Sequence, residues 1–343
     1  MTVEGNSMLH YHRISATGNA GVVLLLFLIM ATTGCNTAST RSNPEAPYTP
    51  SRPPVTGDIL HMRTGVFVNE ENMLQAVTDV RIAYVGEAHN DMASHRLQLK
   101  VVQAMAKRWS GQIAIGMEMF IPGQQEALRR WVAGESTEAE FLSESKWKER
   151  WNVDFDYYRP LLLFARENGI PVIGLNVPKS LVHAVAKMDF SELPEDERRQ
   201  LPDMDINNPY RDALVRAFYG GHAKGKNGLE GFRRVQALWD EAMAENAVRY
   251  LNSPDGQNRH MVIIAGGNHI RYGIGIPHSV FRRLPGSYVL VGTRVLKISE
   301  VDKGEIMNVE LPDFPMLPYD YLVFVDYEKL KKPDADTDGS SAR

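Results

Sequence analysis

Six short apolar runs, each closed by turn residues, punctuate the chain: Ile82–Val85, Ile113–Met117, Val172–Leu175, Met261–Ala265, Tyr288–Val291 and Tyr321–Val325. Runs of this length without polar alternation are the pattern of strands covered on both faces. Between the first two, Leu97, Val101 and Met105 fall at i, i+4 and i+8 with Val102 beside them, which predicts an amphipathic helix capped by Asp91. Strand, helix and strand repeating in this order predict an α/β fold with a mainly parallel sheet and helices on both faces. From Pro178 to about Asn252 the strand pattern stops for much longer than one crossover helix requires, so an inserted helical subdomain is expected over 178–252. Within it Phe232, Val235, Trp239 and Met243 share one helix face, expected to be core, and Gln236, Asp240 and Met243 share an adjoining one.

Polar residues gather just after the apolar runs. Glu87 and His89 follow the first, Glu118 the second, Asn176 the third, and Asn268 and His269 the fourth. In an open parallel sheet those strand ends share one edge, where ligands bind, so residues distant in sequence are expected to converge there. Read singly, each is more often an ordinary loop or capping residue than a ligand. Together, two carboxylates brought close repel unless a cation, a proton or a donor compensates them, which predicts a site. His95, near the start of the following helix, either joins that edge or is an exposed helical residue. One chemistry open to Glu87, His89, Glu118 and His269 is to hold a divalent metal ion or poise a water for hydrolysis.

The helical insertion carries Tyr210, Tyr219 and His222, leading into a Gly/Lys-rich stretch expected to form a mobile lid. Most of Trp147, Trp151, Phe155, Tyr157 and Tyr158 read as packing. An aromatic-rich insertion beside a polar sheet edge suits a large flat ligand. No GxGxxG follows the first strand and no GxxxxGK[ST], HExxH or GxSxG occurs, so the sequence offers no dinucleotide, P-loop, zincin or nucleophile-elbow signature.

The N-terminus changes the picture again. Gly21–Met30 (GVVLLLFLIM) has the length of a signal-peptide core, and translation from Met1 or Met8 is open. Ala31-Thr32-Thr33-Gly34-Cys35 follows it and resembles a bacterial lipobox, with Thr32 where Leu is usual, and Cys35 is the chain's sole cysteine. The expected organisation is a signal peptide over 1–35, a Ser/Pro-rich tether over 36–57, an α/β domain over 58–330 and a disordered tail over 331–343. Of 343 residues, 43% are hydrophobic, and 38 Lys and Arg against 42 Asp and Glu give a formal charge of -4, which offers no footprint for nucleic acid.

Taken in order, YVGEAHNDMASHRLQLKVVQAM, GMEMF with Gln124-Gln125, PVIGLNVP, QALWDEAMA and IAGGNHIRYGIGIP resemble the ChaN family of haem-binding lipoproteins. The wider group, with Tiki, TraB and erythromycin-esterase-like proteins, is similar in two GxxH motifs and a pair of glutamates, matched here by Gly86–His89, Gly266–His269, Glu87 and Glu118. The resemblance implies a homodimer holding haem in its interface, with a tyrosine as iron ligand and a histidine from the partner subunit. Tyr219, Tyr210 and His222 are the candidates for these roles. It further implies acylation of Cys35, an outer-membrane location facing the periplasm, and haem or iron acquisition with an outer-membrane haem receptor as partner. The alternative drawn from the wider group is a metal-dependent hydrolase, protease- or esterase-like, built on the Glu/His cluster.

Overall fold

The computed structural model describes residues 49–221, 228–306, 311 and 314–331. One eight-stranded sheet runs through them: β1 (Ile59–His61), β2 (Val66–Val68), β3 (Ile82–Glu87), β4 (Ile113–Met117), β5 (Val172–Gly174), β6 (His260–Gly266), β7 (Tyr288–Lys297) and β8 (Tyr321–Asp326). Their spatial order is β2-β1-β8-β7-β3-β6-β4-β5. The six strands from β8 to β5 are parallel, and β1 pairs antiparallel with both β8 and β2. All six expected strands are present within a residue or two, except that β7 runs on to Lys297. There its outer half alternates between exposed and half-buried residues alongside β8, so it lacks an apolar run. Strands β1 and β2 escaped the sequence because three residues are too few to show a period.

Side chains along β3 alternate between two cores. Ala83 and Val85 pack on one face with Leu97, Val101 and Met105 of the helix Met92–Arg108, whose start is capped by Asp91 as expected. Ile82 and Tyr84 pack on the other with Met243, Ala247 and Leu251 of the helix Gly228–Leu251. Helices therefore cover both faces, and the segment between β5 and β6 is helical, including Lys179–Lys187, Pro209–Gly221 and Gly228–Leu251. Met243 is buried core, whereas Trp239 is half-buried between two clusters. Among the described residues no helix is long and apolar enough to cross a membrane.

The free edge of β5 is closed by a side chain. Gln125 accepts from the Gly174 N–H at 3.2 Å and donates to the Val172 carbonyl at 2.7 Å, so one amide group stands in for a neighbouring strand.

Candidate functional site

Strands β3, β6 and β4 are neighbours, and their C-terminal ends bring Glu87, His89, Glu118, Asn268 and His269 to one edge. The pleat sets which way each points. Glu87 lies two residues beyond Val85 and faces the same core, where its carboxylate is enclosed: Tyr158 donates to Oε1 at 2.6 Å, His89 Nδ1 bonds the same oxygen at 2.6 Å, and Gln98 Nε2 donates to Oε2. Trp151 donates to the Tyr158 hydroxyl at 3.2 Å and meets the His89 ring edge-on at 4.9 Å. Tyr158 and Trp151, read from sequence as packing, are thus part of the polar site. His95 belongs to it too: its Nδ1 lies 3.8 Å from Glu87 Oε2, and its Nε2 bonds the His89 carbonyl at 3.0 Å.

Glu118 makes the second half. Its Oε2 accepts the Gly266 N–H at 2.6 Å, its Oε1 lies 3.5 Å from His269 Nε2, and Asn176 fixes its backbone by donating to the Glu118 carbonyl at 3.0 Å. On its other side His269 Nδ1 stands 2.7 Å from Asp240 Oδ1 and 2.9 Å from Gln236 Nε2, both from the helix Gly228–Leu251. That relay continues. Arg211, buried, lies 3.6 Å from Asp240 and donates to Glu241 at 3.0 Å, tying the helix Pro209–Gly221 to the sheet edge. Sequence reasoning put Gln236 and Asp240 on one helix face without assigning them a role. Two polar residues i, i+4 on a face that also carries Met243 are the signal that would have found them.

Electrostatically the carboxylates are already answered. Burial, the largest single influence, pushes Glu118 upward, but the His269 and His89 charges together with the His269 and Gly266 hydrogen bonds outweigh it and hold the carboxyl at about 2. Burial lowers His269, yet Glu118 and Asp240 on either side raise it to about 10. Glu87 is lowered against its burial by His95 and His89, and His89 is raised against its own burial by Glu87. The four residues expected to meet therefore do meet, as two ion pairs. Among the described residues no group of three or more His, Cys, Asp or Glu side chains is disposed to hold a metal ion. The carboxylate oxygens spend their lone pairs on protein donors instead, so the divalent-metal expectation, and the metal-dependent hydrolase built on it, find no support in this geometry.

Between these pairs the strand ends leave a cavity of about 240 Å³, lined by His89, Asn268, His269, Arg271 and Tyr319 among others. This is below the ~300–1,000 Å³ that holds a drug-sized ligand, so the large flat ligand expected here does not fit it.

The insertion tyrosines lie apart from that cavity's lining. Tyr210 and Tyr219 are on the same helix nine residues apart, about two and a half turns, which sets them on opposite faces. They are not brought together. Tyr210 is 46% exposed and stands edge-on to Phe314 at 5.9 Å, and Tyr219 is half-buried against Phe232. His222, the Gly/Lys-rich stretch and Cys35 lie outside the described residues.

Residues 73–280 match the protein family described as "Haem-binding uptake, Tiki superfamily, ChaN". Among solved structures, one of cofacial haem binding to ChaN of Campylobacter jejuni is similar with a TM-score of 0.59 at 16% identity, over 78% of this chain and 95% of that one. An erythromycin esterase, EreC, is similar with a TM-score of 0.47 at 12% identity, over 76% and 94%. Among curated proteins, "Protein RETICULATA-RELATED 5, chloroplastic" of Arabidopsis thaliana is 22% identical over 247 residues, 65% of this chain, which spans 32% of that relative's length.

Proposed function

Since the chain belongs to the ChaN family of the Tiki superfamily, we propose that it binds haem on the open surface of its helical layer, with the Tyr210 phenol as the axial donor. The observation that carries this reading is the presentation of Tyr210. A phenol that is to reach an iron must stand clear of the fold, and Tyr210 does so, exposed and edge-on to Phe314, which itself packs with Leu214 and Phe218. The strand-end cavity, at about 240 Å³, is smaller than a macrocycle needs, so this reading places haem elsewhere. Haem, when bound, would supply a ferric iron that a phenolate oxygen can bind. The phenolate is a hard anionic donor, which favours the ferric state and suits holding and handing on haem more than electron transfer.

A flat ligand on an open face exposes its second side, and a second copy of the chain would cover it, so the same reading makes the haem-bound form a homodimer. Cofacial haem binding, the arrangement of the C. jejuni ChaN structure, favours such a form. Acylation of Cys35 would anchor the protein in the outer membrane, facing the periplasm, with haem or iron acquisition as its role and a haem receptor as its partner. The buried Arg211, adjacent to Tyr210 and bonded to Glu241 at 3.0 Å, fixes the backbone from which the phenol projects. Hemin titration of wild-type chain and Tyr210→Phe, read by absorbance and gel filtration, tests the proposal.

A further inference from the structure

Gln125 closes the edge of β5 only in part. In the ladder with β4, Ile115 sits against Val172 and donates to the Pro171 carbonyl at 2.9 Å. That register turns the N–H and C=O of Ile173 toward β4, and those of Val172 and Gly174 outward. The Val172 carbonyl and the Gly174 N–H are taken by the Gln125 amide, at 2.7 and 3.2 Å. The Val172 N–H, on the same side, forms no hydrogen bond among the described residues, although Val172 is only 1% exposed. A buried backbone donor without an acceptor is rare and costly, so this one asks for a partner.

A cavity adjoins the same edge. About 810 Å³ lies between the helix Gln125–Val132 and the end of the helix Gly228–Leu251, within the ~300–1,000 Å³ that holds a ligand. Its walls are chiefly apolar, with Leu128 and Val132 on the first helix, Tyr250 on the second and Pro171 and Val172 along the strand. The two helices belong to opposite faces of the sheet, since Leu128 packs in one core and Tyr250 against the other. The groove is therefore the continuation of the sheet itself, one layer thick, between two helical layers.

Charge at its rim selects no ion. Arg129 pairs with Glu126 and Glu135, and Arg249 with Glu245 at 2.7 Å. Arg259 spends hydrogen bonds on the Gly111, Ile113 and Asp255 carbonyls, and Asp255 itself carries the opposite charge. Recognition here falls to main-chain hydrogen bonds and apolar contact.

We propose that this groove docks an extended, uncharged peptide segment, which pairs with β5 as a ninth, parallel strand of the sheet. The fold displays the chemistry the edge accepts. The Gln125 amide offers it one N–H and one C=O, as a single residue of a parallel neighbour does. A peptide residue in that place makes the same two bonds, and the residue two before it brings its C=O to the Val172 N–H. Side chains of the segment alternate between Leu128 and Val132 on one side and Tyr250 on the other. Gln125 turns away as the segment enters, which makes it an internal competitor. The groove shares no lining residue with the strand-end cavity, and the proposal does not rest on haem binding.

The test is NMR of the purified haem-free chain labelled with nitrogen-15 in valine and glycine. The probe is a blocked five-residue peptide of alternating threonine and valine, titrated beside the same peptide N-methylated at its central residue. The first is expected to move the Val172 and Gly174 amide resonances saturably. The second, which lacks one N–H donor, is expected to bind about tenfold more weakly. Gln125→Asn, whose shorter amide cannot span both groups, is expected to bind the first peptide about tenfold more tightly. The peptide pair is compared on the wild-type chain, so the proposal does not hang on the folding of one variant. No saturable shift at Val172 in the wild-type chain, equal binding of the N-methylated peptide, or equal or weaker binding by a folded Gln125→Asn would each overturn it.

Discussion

His269 Nδ1 stands 2.7 Å from Asp240 Oδ1 while its Nε2 lies 3.5 Å from Glu118, so one buried imidazole bridges a carboxylate of the sheet edge and a carboxylate of the longest helix among the described residues. The pairing neutralises charge that the interior would otherwise not tolerate and fixes the helical layer against the strands.

This bridge gives stability a specific pH dependence. His269 is raised from 6.5 to about 10, so its contribution is complete below pH 6.5 and is lost as pH rises through about 10. Glu118 is lowered from 4.5 to about 2, so its contribution is complete above pH 4.5 and is lost as pH falls through about 2. The pair therefore stabilises most between pH 4.5 and 6.5. Asp240→Asn should destabilise the protein most in that window, with the deficit shrinking toward pH 10. Urea unfolding of both proteins across this range measures it, and a deficit that grows with pH would show that His269 is neutral in the fold.

Glu87 is closed in by donors on both oxygens, so replacing it leaves several of them facing an amide. Glu87→Gln is expected to cost ~3 kcal/mol, the scale for breaking a buried ion pair. Tyr158→Phe, which removes one hydrogen bond to a charged acceptor, is expected to cost ~1.5–3 kcal/mol. The two should be strongly non-additive because both act on one oxygen of one carboxylate. Denaturant unfolding of the two single variants and the double variant gives the coupling directly.

At the far edge of the sheet, Gln125→Leu keeps the bulk of the side chain but removes both bonds that close β5. A loss of ~1–2 kcal/mol is expected, together with faster amide exchange at Gly174, whose N–H loses its acceptor. Hydrogen exchange followed by NMR reads that amide, and unchanged protection would show that the edge is closed by something other than Gln125.

Much of this architecture was legible beforehand, for a definite reason. The strands from β3 to β6 are buried on both faces, so their apolar runs are unbroken, and a polar residue at the end of such a run is conspicuous, as Glu87, Glu118 and His269 were. Tyr158 and Trp151 were read only as packing because an aromatic with a polar tip looks the same in sequence whether or not that tip has a partner. Tyr319, which lines the strand-end cavity, gave no local signal at all. Its signal is in Gly86, Gly267 and Gly292, glycines that flexibility alone does not explain and that only the assembled sheet brings to one ring. Tyr210 and Tyr219 looked equivalent as members of one insertion, and helix geometry separates them.

The central claim is haem binding through Tyr210, and a hemin titration of residues 36–343 beside its Tyr210→Phe variant tests it most directly. The account predicts a saturable ferric spectrum of the phenolate type in the wild-type chain, with a shift from monomer to dimer in gel filtration of the same samples. Tyr210→Phe should lose that spectrum while keeping its fold. A featureless titration, or a spectrum the variant reproduces, would contradict it.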